Sequence, residues 1–200
     1  MARIIVITHE HDRFMGNRSL LLRRKSRYLL FDILEDLKRR GHSVRIQPGL
    51  TGQISADVAV LHVDATMTPA DYLDYARSFP FCLNVGAADI SKRRISGALL
   101  AEGDGWLGPV IVKSNLNNQG IPETRLNRRS RRAGQPAPFA HVPALSAYEV
   151  YQSRDDIPDG VSEQHDLVVE KFIPEKEPDG FAVRFWVFCG ERERCTRYVS

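Results

Sequence analysis

The sequence predicts an α/β protein, with an open, largely parallel α/β layer in its N-terminal half and an α+β half rich in antiparallel pairing behind it. Three observations predict this. A continuous β-branched run, Ile4 to Ile7, has the pattern of a strand buried on both faces, as parallel sheets require. Such runs then alternate with amphipathic stretches in the order strand, helix, strand, strand, helix, strand as far as Val85. Finally, Gly103, Gly105 and Gly108-Pro109 interrupt the pattern, which places a boundary between a first domain, 1–104, and a second, 105–200.

Each element has its local reason. After the first strand a polar, basic segment runs from His9 to Lys25. Ser26 is the expected cap of a helix whose Leu29, Leu30, Ile33, Leu34 and Leu37 share one face, and Gly41 closes it behind Lys38-Arg39-Arg40. Ser43 to Gln47 and Val58 to Val63 read as strands. Thr68-Pro69-Ala70-Asp71 supplies a cap, an early proline and a first-turn acid for a helix reaching Ser78, and Phe81 to Val85 is a short strand. Ile90 to Leu100 has helical character. Beyond the boundary, Val110 to Lys113 is a strand, Asn115 to Gly120 a polar loop and Arg125 to Arg132 a dense basic run. Ala147 to Gln152 and Asp166 to Ile173 read as strands, and Phe181 to Phe188 pairs with Arg194 to Ser200 as a hairpin around Gly190.

Composition narrows the class. At 200 residues, 42% hydrophobic and 26% charged, the chain is long enough to bury a core and is not patterned for disorder. The net charge of +3 is unevenly spread: residues 1–50 hold eleven Lys or Arg against five acids, and residues 151–200 hold seven against eleven. Cys82, Cys189 and Cys195 form no CxxC pair, which predicts a reducing, cytoplasmic setting. No signal-peptide pattern and no apolar run of about 20 residues argues for a membrane. The Arg128-Arg129-Ser130-Arg131-Arg132 cluster lacks interleaved aromatics, which argues against nucleic acid and leaves a lid over phosphates or a solvated loop. His9, Glu10, His11 and Asp12 fit no common zinc spacing and read as a polar loop at a strand end. The absence of GxGxxG after the first strand leaves a dinucleotide without support.

The informative residues lie later. Lys113 ends the apolar strand Pro109-Val110-Ile111-Val112 and precedes a loop closing at Gly120, an arrangement able to hold phosphate oxygens by charge and backbone N–H groups. Glu170 and Lys171 stand at the end of the strand Leu167-Val168-Val169, where charges need solvent, a partner or a ligand. In the strand 181–188, Arg184 is a single cation on a face shared with Ala182, Trp186 and Phe188.

The order of these pieces resembles the ATP-grasp superfamily, and is most like its carboxylate–amine ligases such as D-alanine–D-alanine ligase, glutathione synthetase and the ribosomal-modification ligases. The resemblance implies that Lys113 contacts ATP phosphates, with the loop to Gly120 beside them, and that Glu170, Lys171, Phe172 and Ile173 hold adenine. It implies Glu177, seven residues beyond Glu170, on the ribose hydroxyls, and Arg184 on the phosphate side as the second catalytic cation. The N-terminal α/β half would be the pre-ATP-grasp domain that helps bind the acceptor, and the second half an incomplete ATP-grasp domain. ATP and Mg2+ are the implied cofactors, with the metal ligands expected beyond Ser200, and small-molecule or peptide carboxylates and amines (or thiols) the implied substrates. The isolated chain is therefore expected to bind ATP weakly without turnover, and its open sheet edges predict self-association. The alternatives are a non-catalytic nucleotide-binding module and, from the arginine run, a nucleic-acid-binding protein.

Overall fold

The computed structural model describes residues 1–12, 29–52, 54–101, 103–140, 142, 148–161 and 163–199. The cap expected at Ser26 and the basic stretch from residue 13 to Lys25 lie outside them. The fold is α/β with a parallel sheet, and the chain divides into two compact units: Met1–Ser96 with Ser114–Ser146, and Gly97–Lys113 with Ala147–Ser200. The segment Ser114–Ser146, placed by sequence in the second domain, thus belongs to the first unit. Among the described residues no helix is long and apolar enough to cross a membrane.

The first unit is built on a four-stranded sheet of β1 (Arg3–Thr8), β2 (Ser43–Pro48), β3 (Val58–His62) and β4 (Cys82–Leu83), in the order β2-β1-β3-β4. All neighbouring strands run parallel. The side-chain period of two sends Val6 to one face and Ile5 and Ile7 to the other. Val6 packs on Leu34 of α1 (Leu29–Arg39), while Ile5 and Ile7 pack with Ala59, Leu61 and the Tyr72 and Ala76 side chains of α2 (Ala70–Arg77). Covering both faces is why β1 reads as an unbroken apolar run rather than an alternating one. Burial of each of these aliphatic side chains is worth about 1.5–3 kcal/mol.

Two expectations for the first unit change. The helix expected over Ile90 to Leu100 is a single turn, α3 (Lys92–Ile95). The Arg125–Arg132 run, read as a lid or solvated loop, is the body of a helix, α4 (Ile121–Arg132), following a 3-10 turn at Asn117–Gly120. Glu123, Asn127 and Ser130 of α4 are buried and hydrogen-bonded: Glu123 Oε1 accepts from Thr66 N at 2.5 Å, Asn127 exchanges bonds with the Phe139 backbone, and Ser130 Oγ donates to Pro136 O at 2.6 Å. These bonds tie α4 to the first unit.

The second unit holds two three-stranded sheets. One has the order β6-β5-β7, from β5 (Val110–Ser114), β6 (Glu149–Tyr151) and β7 (Leu167–Lys171), with Val110, Ile111, Val112 and Val168 buried. The other has the order β10-β9-β8, where β9 (Gly180–Cys189) and β10 (Arg192–Val199) form the expected antiparallel hairpin and β8 (Glu175–Glu177) adds a strand that the sequence did not predict. Phe185 and Trp186, on opposite faces of β9, are 58% and 61% exposed. Apolar side chains are thus exposed on both faces of this strand.

Candidate nucleotide-binding site

The second unit positions its charges through strand alternation. Along β7, Val168 and Glu170 point to the buried face, so the rule that covers the valine also covers a carboxylate, leaving its side chain 7% exposed. An unpaired carboxylate there would cost several kcal/mol. β5 solves this, because it lies beside β7 and delivers Lys113, whose Nζ meets Glu170 Oε2 at 2.6 Å across 57 positions of sequence. The Lys113 ammonium also stands 5.9 Å from the centre of the Tyr148 ring, a cation–π contact that holds it at the sheet surface.

Lys171 takes the opposite face of β7. Its Nζ pairs with Asp104 at 2.7 Å and lies 5.8 Å from the centre of the Trp106 ring. The Lys171 hydrogen bond holds the Asp104 carboxyl below the usual carboxylate range. Trp106 is itself fixed by donating Nε1–H to Pro109 O at 2.9 Å, and its ring leaves no room at Gly108, where a Cβ would sit 2.7 Å from Cζ2. The backbone that follows is anchored as well. Lys171 N donates to Ala98 O at 2.8 Å and Phe172 N to Pro109 O at 2.9 Å, after which Ile173 emerges 71% exposed.

Glu177 and Arg184 belong to the other sheet and share one ionic network. Arg184 donates to Glu175 through Nε at 2.7 Å and Nη2 at 2.8 Å, a bidentate fork. Arg197, directly opposite Arg184 in the β9/β10 ladder, donates from Nε to Glu175 Oε1 at 2.8 Å and from Nη2 to Glu177. Two arginines facing each other would repel, and the shared carboxylate converts that repulsion into a bridge. The Arg184 hydrogen bond, followed by that of Arg197, holds the Glu175 carboxyl at about 2, and Glu175 raises the Arg184 guanidinium in turn. Because the folded value lies below the unfolded one, the network's contribution is complete above about pH 4.3 and is lost as pH falls through about 2. Glu175 is solvent-accessible, so salt screens this contribution. The Glu175 carboxyl carbon should therefore titrate near 2 by NMR, and Arg184→Gln should move that midpoint towards 4; a wild-type midpoint at the ordinary value would dissolve the network.

Gly120 lies in the first unit, buried at the start of α4. It completes three successive left-handed residues, Asn118 (φ 44°), Gln119 (φ 57°) and Gly120 (φ 72°). For Asn118 and Gln119 this conformation costs about 1–2 kcal/mol each, and such strain gathers at ligand clamps and switches.

No family model, curated protein or solved structure matches this chain.

What the site can do therefore rests on its own chemistry. One side of the second unit offers an ammonium at Lys113 with two of its three donors beyond Glu170, and another offers an exposed aliphatic turn at Ile173 beside the fixed Lys171. Among the described residues no group of three or more His, Cys, Asp or Glu is arranged to hold a metal, so they do not by themselves form the magnesium site that the resemblance implies. Sequence reasoning missed Asp104, Trp106, Tyr148, Glu175 and Arg197. Of these, Glu175 carried a signal, since it lies two residues before Glu177 and so shares its side of a strand. Tyr148 beside Lys113, and Asp104 and Trp106 beside Lys171, come from loops without periodicity.

Proposed function

We propose that the second unit binds ATP in the manner of the ATP-grasp superfamily, within an ATP-dependent carboxylate–amine or carboxylate–thiol ligase that works through an acyl phosphate. In this reading Lys113 meets the phosphates, the turn Lys171-Phe172-Ile173 behind Glu170 receives adenine, Glu177 takes the ribose hydroxyls and Arg184 lies on the phosphate side. The first unit is the pre-ATP-grasp domain. The free thiols of Cys82 and Cys195 fit a reducing, cytoplasmic setting.

One observation carries the reading. Lys113 and Glu170 arise from separate motifs, yet neighbouring strands bring them to 2.6 Å, so the lysine strand and the Glu-Lys-Phe-Ile strand share one sheet as the motif order requires. The glutamate fixes the lysine and leaves two N–H donors for phosphate oxygens. Chemically, a carboxylate oxygen would attack the γ-phosphorus and release ADP. The cations would offset the charge that builds between two anions.

Titration calorimetry tests this. Wild-type protein should bind ATP at millimolar concentration or below, and Lys113→Met/Glu170→Leu, which keeps the strands paired, should weaken it about 10–100-fold, the value of a charged hydrogen bond. Trp106 fluorescence should respond to ATP, since its ring lies against Lys171. Wild-type protein that shows no heat and no fluorescence change with millimolar ATP would end the proposal.

A further inference from the structure

The antiparallel sheet of the second unit ends on a long edge. In the order β10-β9-β8 the terminal strands are β10, Arg192 to Val199, and the much shorter β8, Glu175 to Glu177. A terminal strand presents a row of N–H and C=O groups to any strand that lies beside it.

Which residues of β10 form that row follows from the turns. Cys189 and Arg192 close the two-residue turn of the hairpin, so they exchange backbone bonds, and in an antiparallel ladder such pairs alternate with pairs that do not. Arg194, Thr196 and Tyr198 are therefore bonded to β9, whereas Glu193, Cys195, Arg197 and Val199 turn their backbone groups outward. The turn between Glu177 and Gly180 gives the same parity independently, because it commits Ala182, the residue opposite Val199, to bonds with Glu175. By the same rule β8 turns only Lys176 outward, so β10 is the edge able to build a ladder.

Charges on an edge ordinarily guard against pairing. On β10 one register escapes the guard. A second copy of β10 related by a two-fold axis lies antiparallel, and the parity sets odd-numbered residues opposite odd-numbered ones. An axis through Glu193, Arg194 or Arg197 puts that charge directly opposite itself, and one nearer either end pairs too little of the strand. An axis through Thr196 opposes Glu193 to Val199 and Arg197 to Cys195, without a complementary pair. An axis through Cys195 sets each Glu193 opposite the partner's Arg197 and each Arg192 opposite the partner's Tyr198, with no like charges opposed.

The side chains involved have capacity for this. Glu193 is exposed and accepts from Trp186 Nε1 at 3.2 Å through Oε2 alone. Arg197 donates from Nε and Nη2 to Glu175 and Glu177 of its own chain, which leaves Nη1 for a partner. Since the Arg197 charge is shared in this way, the side chains choose the register and the backbone bonds hold the strands.

We infer that β10 is the docking edge for a second copy of this chain, paired antiparallel about a two-fold axis at Cys195 so that two three-stranded sheets become one. The pairing is isologous, so it closes on a dimer and leaves no β10 edge for further growth. Self-association, expected in general from open edges, thus narrows to one strand and one register, and it does not depend on the nucleotide reading.

Sedimentation equilibrium of the full chain from about 10 µM to about 1 mM should show a reversible monomer–dimer equilibrium. Cys195→Pro removes an outward N–H and no bond to β9, so it should keep the far-ultraviolet dichroism and lower the association constant about tenfold or more. Glu193→Lys makes both complementary pairs repulsive and should weaken the dimer about tenfold. Asp159→Lys, the same charge change at an exposed turn before β7, should stay within about twofold, and Lys113→Met/Glu170→Leu should dimerise as wild type does. In a Cys82→Ser/Cys189→Ser background the two Cys195 thiols, on Cα atoms about 5.5 Å apart in such a pair, should be oxidised by diamide to an intermolecular disulfide. The inference is overturned if wild-type protein is monomeric at about 1 mM, if Glu193→Lys leaves association within about twofold or is matched by Asp159→Lys, or if assemblies grow beyond the dimer. Should Cys195→Pro fail to fold, Glu193→Lys and the cross-link decide. An intact dimer with no ATP binding would refute the nucleotide proposal and leave this one standing.

Discussion

Lys113→Met is expected to lower the stability of the second unit by about 3 kcal/mol, whereas Lys113→Met/Glu170→Leu returns to within about 1 kcal/mol of wild type. The single substitution leaves the Glu170 carboxylate, 7% exposed, facing an apolar side chain. Breaking a buried pair by removing one partner typically costs about 3–5 kcal/mol, and the 25% exposure of Lys113 places this pair at the lower end. Replacing both partners removes the desolvated charge along with the bond, which is why the double substitution is nearly neutral. Both tryptophans, Trp106 and Trp186, lie in the second unit, so urea unfolding followed by fluorescence reads this unit directly. A single variant within about 1 kcal/mol of wild type would mean that Glu170 does not depend on Lys113 for its satisfaction. The experiment also separates fold from the proposed function: the double variant should regain stability without regaining the ATP binding proposed for the wild type.

The second large effect belongs to the first unit. Gly120→Ala combines a left-handed backbone with a lack of space, since its Cβ would stand 2.6 Å from Val142 Cγ1 and 2.8 Å from Leu116 Cδ1. Leucine can swing its end away, but valine branches at Cβ and is stiff at χ1, so the backbone must shift instead. The conformational part is about 1 kcal/mol and the overpacking about 1–3 kcal/mol, giving an expected loss of about 2–4 kcal/mol. Gly134 supplies the control, with nearly the same dihedral (φ 74°) and nothing within 4 Å of the place its methyl would take. Gly134→Ala should cost only the conformational part. Equal losses for the two variants, measured by far-ultraviolet dichroism on urea unfolding, would show that packing around Gly120 is loose.

Much of the fold was legible. β1 announced itself because covering both faces of a central parallel strand demands an unbroken apolar run, and the hairpin announced itself because Gly190, at φ 58°, marks a turn between two apolar or alternating segments. α4 was missed for a physical reason. Its buried face is Glu123, Asn127 and Ser130 beside Leu126, so it docks through hydrogen bonds and shows little of the apolar period that marks a helix in sequence. The helix expected over Ile90 to Leu100 stopped at Ile95 because its last residues are drawn into strand pairing: Leu99 bridges to Glu170, and Leu100 N donates to Val169 O at 2.9 Å. β8 has no apolar residue to betray it, and pairs only because β9 offers an edge.

By itself the sequence determined every strand but β8, the first two helices and which residues deserved attention, since periodicity and turn chemistry are local and each is written within a few neighbours. It placed Lys113, Glu170, Lys171 and Arg184 as charges at strand positions, and Glu177 entered only through the family resemblance. Their partners were decided by the tertiary structure alone: Lys113 on Glu170, Lys171 on Asp104, Arg184 on Glu175 and Glu177 on Arg197. Which carboxylate meets which cation depends on strand order and register, which are fixed by the burial of whole faces rather than by the charges themselves. The arginine helix shows the same division. Its charges were plain in the sequence, but only folding revealed that Arg129 and Arg132 line a cleft with Glu10 and His11.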